Sequence, residues 1–362
     1  MELWKMLSRR DFLGVLAVPA LTRPLHGTMT PARQDEVAGG PILDSLKPVI
    51  TGARHVRFHE EKVREVADWM AYEELPWPDF RSPLTPQGDD SVTMDFIFLT
   101  STINLAFTDF ESHTIFKAQY QGAEHWDSLG MEACLKRAYD KGIPILDGDY
   151  LARVTRGELD EIFTGNIPIP MLDERLAIFH EVGNVLKERY QGRFHNFVEA
   201  GPSRLYADGN GLLERLLAEF PSFRDTSMYR GSRIAFQKRS QLLWWQLHAR
   251  FRGNGFFELG DPEQLTVFAD YIVPVAFRLF GMTSYSPELE AAINARKVIP
   301  ADSEEEIEIR AFTIWGGHRL TEEINRRRPA ELQVIDPVVD GRLWTHYHAS
   351  HWPHHLTITT DY

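Results

Sequence analysis

A single cysteine, Cys134, stands in 362 residues, so neither a disulfide framework nor a thiolate metal site is available. Basic residues are outnumbered: 39 Lys and Arg against 52 Asp and Glu leave a net charge of −13. A chain of that sign does not suit the phosphates of a nucleic-acid polymer. No apolar run reaches the roughly 20 residues that a membrane-crossing helix needs. No Gly-rich phosphate loop, dinucleotide-binding fingerprint or G-x-S-x-G elbow occurs. Repeats, low-complexity blocks and an obvious linker are also missing. The 43% hydrophobic and 25% charged shares are those of a globular protein with a sizeable core.

Helical periodicity fills most of what is present. Phe116–Tyr120 with Gly122 reads as a short strand and turn. A helix is expected from Asp127 to Lys141 with Gly142 just past its end. Others are expected at 155–163 with Thr155 as cap, 171–190, 211–220, 234–252, 286–296 and 303–328. The fold class is therefore mostly α with a small β element. Residues 1–44 read as a leader, and 45–362 as one mainly helical catalytic domain. Within the leader, Arg9-Arg10 precede a modest apolar run and look like a twin-arginine export signal. Pro19 and Arg23 interrupt that run and no small-residue cleavage site follows before Met29, so a disordered leader, or a true start at Met29, is the preferred reading.

The stretch most suggestive of chemistry lies near Asp270. Asp261 as cap, Pro262 at the first position and Gln264 predict a helix that continues through Leu279, its core stripe being Leu265, Phe268, Ile272, Val275 and Leu279. Asp270 falls on an apolar row with Val267, Tyr271 and Pro274, and Pro274 should bend the helix there. A carboxylate in such surroundings is costly unless paired or used. It is either ion-paired to an arginine or catalytic, and the catalytic reading is preferred. At the C-terminus His346, His348, His351, His354 and His355 are interleaved with Trp344, Tyr347 and Trp352. Zinc sites need ligands at fixed geometric spacing, and this loose run lacks it, so no metal is assigned.

Several segments in this order resemble one family: Gly142-Ile-Pro-Ile145, Phe220-Pro-Ser-Phe-Arg-Asp225, Ala235-Phe-Gln-Lys-Arg-Ser-Gln-Leu242, Phe268-Ala-Asp-Tyr271, Glu308-Ile-Arg310 with Trp315, and Asp340-Gly-Arg-Leu-Trp344. Together they are similar to the queuosine salvage proteins, queuosine 5'-phosphate N-glycosylases, over about 45–362. The resemblance implies a helical fold distantly similar to helix-hairpin-helix DNA glycosylases. It also implies metal-free and cofactor-free release of queuine from queuosine 5'-monophosphate, in the cytoplasm. Under it Asp270 is the carboxylate that stabilises an oxocarbenium-like state, and Tyr271 contacts ribose or base. Phe268 either stacks or packs in the core. Lys238, with Arg310 in reserve, meets the 5'-phosphate. Asp340 and Asn104 are candidates for reading the base edge, and Trp344 or Trp126 for stacking on its plane. An acidic residue often follows the Leu-Trp pair in this family; Thr345 stands there instead, which shifts base reading toward Asp340. Two competing readings are a non-enzymatic helical nucleotide- or RNA-binding module, with Asp270 structural, and a glycosylase acting on another modified nucleotide or on DNA.

Overall fold

The computed structural model describes residues 40–350 and 352–362; the Arg9-Arg10 pair and His351 lie outside them. The chain is mostly helical, with three two-stranded antiparallel sheets among the described residues. Two sheets are tight hairpins. Lys117–Tyr120 pairs with Ala123–Trp126 around Gln121-Gly122, and Thr226–Tyr229 with Ser232–Ala235 around Arg230-Gly231. All four turn residues have positive φ, 48° and 82° in one hairpin and 47° and 86° in the other. Such turns match the right-handed twist of the strands they join. The third sheet joins Val56–Phe58 to Thr283–Tyr285. No local pattern announces that pairing.

Local signals hold where capping chemistry is complete. Thr155 and Glu158 form a reciprocal capping box at helix Arg156–Ile162. Gly142, at φ +76°, ends helix Asp127–Asp140, and Gly192, also at +76°, follows helix Leu172–Arg189. Other expectations need correction. Helix Gly40–Ser45 begins inside the stretch expected to be loose, because Ile42 and Leu43 bury against Tyr229, Ile234 and Phe236. The helix expected at 234–252 starts only at Lys238, since Ser232–Ala235 is the second strand of a hairpin. The Trp/His-rich tail opens with a helix, Asp336–Tyr347, with Pro337 in its first turn.

The largest departure concerns the segment that carries Asp270. Instead of one bent helix there is a short turn, Pro262–Gln264, then an irregular stretch, then helix Val273–Leu279. Pro274 sits in the first turn of that last helix, where its missing N–H costs nothing. The backbone groups between are satisfied by buried side chains from distant elements. Gln241 accepts from Thr266 N at 2.9 Å, Asp340 accepts from Phe268 N at 2.9 Å, and Arg310 donates to Ala269 O at 3.2 Å. With partners supplied from outside, the helical ladder is not required.

This stretch runs against helix Glu304–Arg327, at 24 residues the longest among the described residues. Gly316 and Gly317 make the close approach possible. A Cβ on Gly317 would lie 2.2 Å from Val267 Cγ2, and one on Gly316 would lie 2.6 Å from the ring of Phe277. The Gly pair thus sets the distance between the long helix and the segment holding Asp270. Gly317→Ala should gain about 1 kcal/mol of helix propensity and lose about 1–3 kcal/mol to overpacking against a β-branched neighbour. A lower denaturant midpoint with unchanged m-value is expected. Gly341→Ala, with nothing within 4 Å of the added Cβ, should raise the midpoint instead.

Candidate active site

Asp270 is 6% exposed, and its Oδ1 accepts from the backbone N–H groups of Ile272 and Val273 at 2.9 and 3.1 Å. Burial raises its pKa above the ordinary aspartate value, while the Lys238 ammonium and these two N–H groups pull it back. Lys238 is the first residue of helix Lys238–Phe251. Its Nζ donates to Asn104 Oδ1 at 3.0 Å and its backbone N to Asp225 Oδ2 at 2.9 Å. Burial lowers the Lys238 pKa, and the charge of Asp270 is the largest influence opposing it. Each charge makes the burial of the other tolerable.

Asp340 is buried behind Asp270, where it holds Phe268 N. Desolvation and the charge of Asp270 push its carboxyl well above the aspartate range. Two neighbouring carboxylates in such surroundings do not ionise together. Burial and the charge of Asp270 favour the protonated form of Asp340, while the Lys238 ammonium favours the charged form of Asp270.

A third carboxylate faces the same space. Asp127 begins helix Asp127–Asp140 with φ +58°, a backbone state unusual outside glycine and frequent at functional positions. Tyr271 donates its hydroxyl to Asp127 at 3.2 Å, and His348 Nε2 lies 2.9 Å from Asp127 Oδ2. Burial would lower the His348 pKa, but Asp127, with help from Asp270, raises it. Trp344 stacks on His348 at 4.3 Å, and Tyr271 stacks on His354 at 4.7 Å.

These groups converge on a cleft of about 270 Å³ lined by Asp270, Lys238, Asn104, Asp127, Tyr271 and Trp344, together with Phe107, Ser128 and Tyr362. A second cleft, about 330 Å³, adjoins it and shares Phe107, Tyr271 and Tyr362. The second is the more apolar, with Phe110, Leu356 and His354 in its wall. The first cleft carries the charged groups, and the second is walled mostly by aromatic and apolar side chains.

Five of the nine expected site residues line the first cleft: Asp270, Tyr271, Lys238, Asn104 and Trp344. Four do not. Asp340 sits one layer behind, positioning the backbone of Phe268. Phe268 is a core residue. Arg310 is fully engaged by Asp225 at 2.8 and 2.6 Å, so it supports the cleft from outside. Trp126 is 42% exposed, with the Lys117 ammonium 4.2 Å from its ring centroid. It sits one residue before Asp127, which lines the cleft and which the sequence reading did not single out. Phe107 and Tyr362 carried no signal beyond composition, and His348 stood out only as one of the C-terminal histidines. Among the described residues, the group spaced to hold a metal is His55, Glu304 and Glu308. Glu308 already accepts from Arg54 N, His55 N, Val56 N and Tyr229 OH, and Glu304 pairs with Arg230. The C-terminal histidines are not part of it.

The sequence profile described as queuosine salvage protein matches residues 84–362. Three similar proteins carry the name queuosine 5'-phosphate N-glycosylase/hydrolase. One from Sphaerobacter thermophilus is 34% identical over 325 residues, covering 89% of this chain and 97% of the relative. A Mus musculus protein is 30% identical over 84% and 93% of the two chains. One from Schizosaccharomyces pombe is 28% identical over 78% and 82%. With a profile spanning both the Asp270 segment and the tail that faces it, and relatives matched over nearly their whole length, the chain belongs to the queuosine salvage protein family.

Proposed function

We propose that this protein is an N-glycosyl hydrolase that cleaves queuosine 5'-phosphate to queuine and ribose 5-phosphate, feeding queuine salvage. One observation carries the proposal at the level of chemistry: a buried carboxylate, Asp270, held by two backbone N–H groups and drawn toward its charged form by the Lys238 ammonium, lines a cleft. The names of the relatives supply the substrate. The helical frame and its expected distant likeness to helix-hairpin-helix DNA glycosylases fit the same reading. So does residence in the cytoplasm, where a salvaged nucleotide arises. The net charge of −13 favours a small nucleotide over a nucleic-acid polymer. Among the described residues no helix is long and apolar enough to cross a membrane.

In this scheme the bond between the anomeric carbon and the base nitrogen breaks, its electron pair leaving with the base. Positive charge grows on the ribose, and the fixed Asp270 carboxylate stabilises it more than it stabilises the neutral ground state. Water adds its hydroxyl to the anomeric carbon, and its remaining proton balances the departing base. Because Asp270 is held by Ile272 N and Val273 N, it need not reorganise as the charge develops. Asn104 and Trp344 in the cleft wall remain candidates for the base edge and base plane.

Asp270→Asn keeps the shape of the side chain and removes its charge. Queuine release should fall by about 10²–10³-fold or more in a variant with wild-type circular dichroism; unchanged turnover in that variant would refute the assignment. Since Asp270 acts as the carboxylate and its pKa is raised, activity should decline as pH falls through a value above the usual aspartate range, near 4. Lys238→Met removes the opposing charge, so the acid limb of kcat should move to higher pH. If Lys238 serves instead as the phosphate partner expected from the resemblance, the limb stays in place. The variant then loses activity on queuosine 5'-phosphate but not on queuosine.

A further inference from the structure

Arg175, on helix Leu172–Arg189, is completely buried and has no carboxylate partner among the described residues. Its guanidinium is spent on backbone carbonyls. Nε donates to Pro170 O at 2.9 Å, Nη1 to Ile103 O, and Nη2 to both Leu105 O and Ala106 O, the last at 2.7 Å. Three of these four acceptors lie in one short segment, Ile103–Ala106, just where helix Asp90–Thr102 ends and leaves its last carbonyls without helical partners. Arg239 takes the carbonyl before them, that of Thr102. Burial, with the neighbouring Arg239, lowers the Arg175 pKa to about 9, which leaves it charged at neutral pH.

The anchored segment forms one wall of the cleft. Asn104 Oδ1 receives the Lys238 ammonium at 3.0 Å, and Phe107 lines both chambers. The Arg175 guanidinium lies 5.3 Å from the centroid of the Phe107 ring. Between them Ala106 has φ +37°, a conformation that a residue with a Cβ keeps only when its surroundings over-determine it. The guanidinium fork, holding the carbonyls on either side of the Leu105–Ala106 step, supplies that constraint. A lysine offers donors from a single point and cannot span the same acceptors.

We propose that Arg175 is a positioning residue for the hydrolase reaction: by clamping the Ile103, Leu105 and Ala106 carbonyls it fixes Asn104, and with it Lys238, and sets the Phe107 wall against the substrate. The kinetic part of this inference rests on the proposed nucleotide hydrolysis; the anchoring of the wall does not.

The test uses the full-length chain. Arg175→Lys should fold, with Arg175→Gln as the second variant if it does not, and should lower kcat/KM for queuosine 5'-phosphate by about 10²-fold, the scale of a small misplacement at a reacting centre. In an Asn104→Ala/Phe107→Ala background the groups it positions are gone, and the same substitution should cost less than about threefold. Amide hydrogen exchange should rise at residues 103–107 while helix Leu172–Arg189 keeps its protection. Wild-type kcat/KM in Arg175→Lys, an equal fold-loss in both backgrounds, or exchange raised uniformly through the helix would each overturn the proposal. If the wild-type chain releases no queuine from the nucleotide, the functional reading fails, and the exchange pattern alone decides for or against Arg175.

Discussion

The pair formed by Arg310 and Asp225 connects the parts of the site that matter. Both side chains are nearly inaccessible to solvent, and they meet through two hydrogen bonds, 2.8 and 2.6 Å. The second Asp225 oxygen also receives Lys238 N, and Arg310 Nε reaches Ala269 O, one residue before Asp270. One ion pair on the long helix therefore fixes the start of the helix that presents the ammonium and the segment that presents the carboxylate. Breaking a buried pair costs about 3–5 kcal/mol because the remaining charge is stranded. The geometry of Asp270 and Lys238 is thus tied to the integrity of the core.

Around that pair the site is a problem in placing charge without water. Asp127, Asp270 and Asp340 face Lys238 and His348. Burial and the charge of Asp270 favour the protonated form of Asp340, which lessens the repulsion between the two carboxylates. Backbone carbonyls around the site are polar too, and here guanidiniums do the holding. Arg239 serves Thr102 and Ser222, and Arg175 serves the segment after Thr102. Arginine suits this role because a planar fork meets several carbonyls at once and resists deprotonation.

Much of the local structure was legible in the chain. The Gln121-Gly122 hairpin, the Thr155 capping box and the glycine ends of the helices follow from interactions within a few residues. Asp270, too, was identifiable, because a carboxylate in an apolar row signals a group either paired or used. Its backbone was misread. Periodicity from Leu265 to Leu279 suits a helix, and nothing nearby reveals that Gln241, Arg310 and Asp340 satisfy the intervening N–H and C=O groups. The roles of Asp340 and Arg310 shifted for the same reason: from sequence each was a charge available to a ligand, and each is committed to backbone or to a partner.

By itself, the sequence determined the helical class, one short strand and its turn, the lack of signatures for thiolate or phosphate-loop chemistry, the family, and Asp270 as the candidate carboxylate. These follow from composition, from short-range geometry and from motif order along the chain. Only the tertiary structure decided which charged residues reach the cleft, that Asp127, Phe107 and Tyr362 join it, and that Asp340 lies where burial and the charge of Asp270 raise its pKa. Those outcomes depend on burial and on distances between residues more than a hundred positions apart, such as Lys238 and Asn104. A pKa or a cleft wall is a property of such juxtapositions, and no stretch of the chain contains it alone.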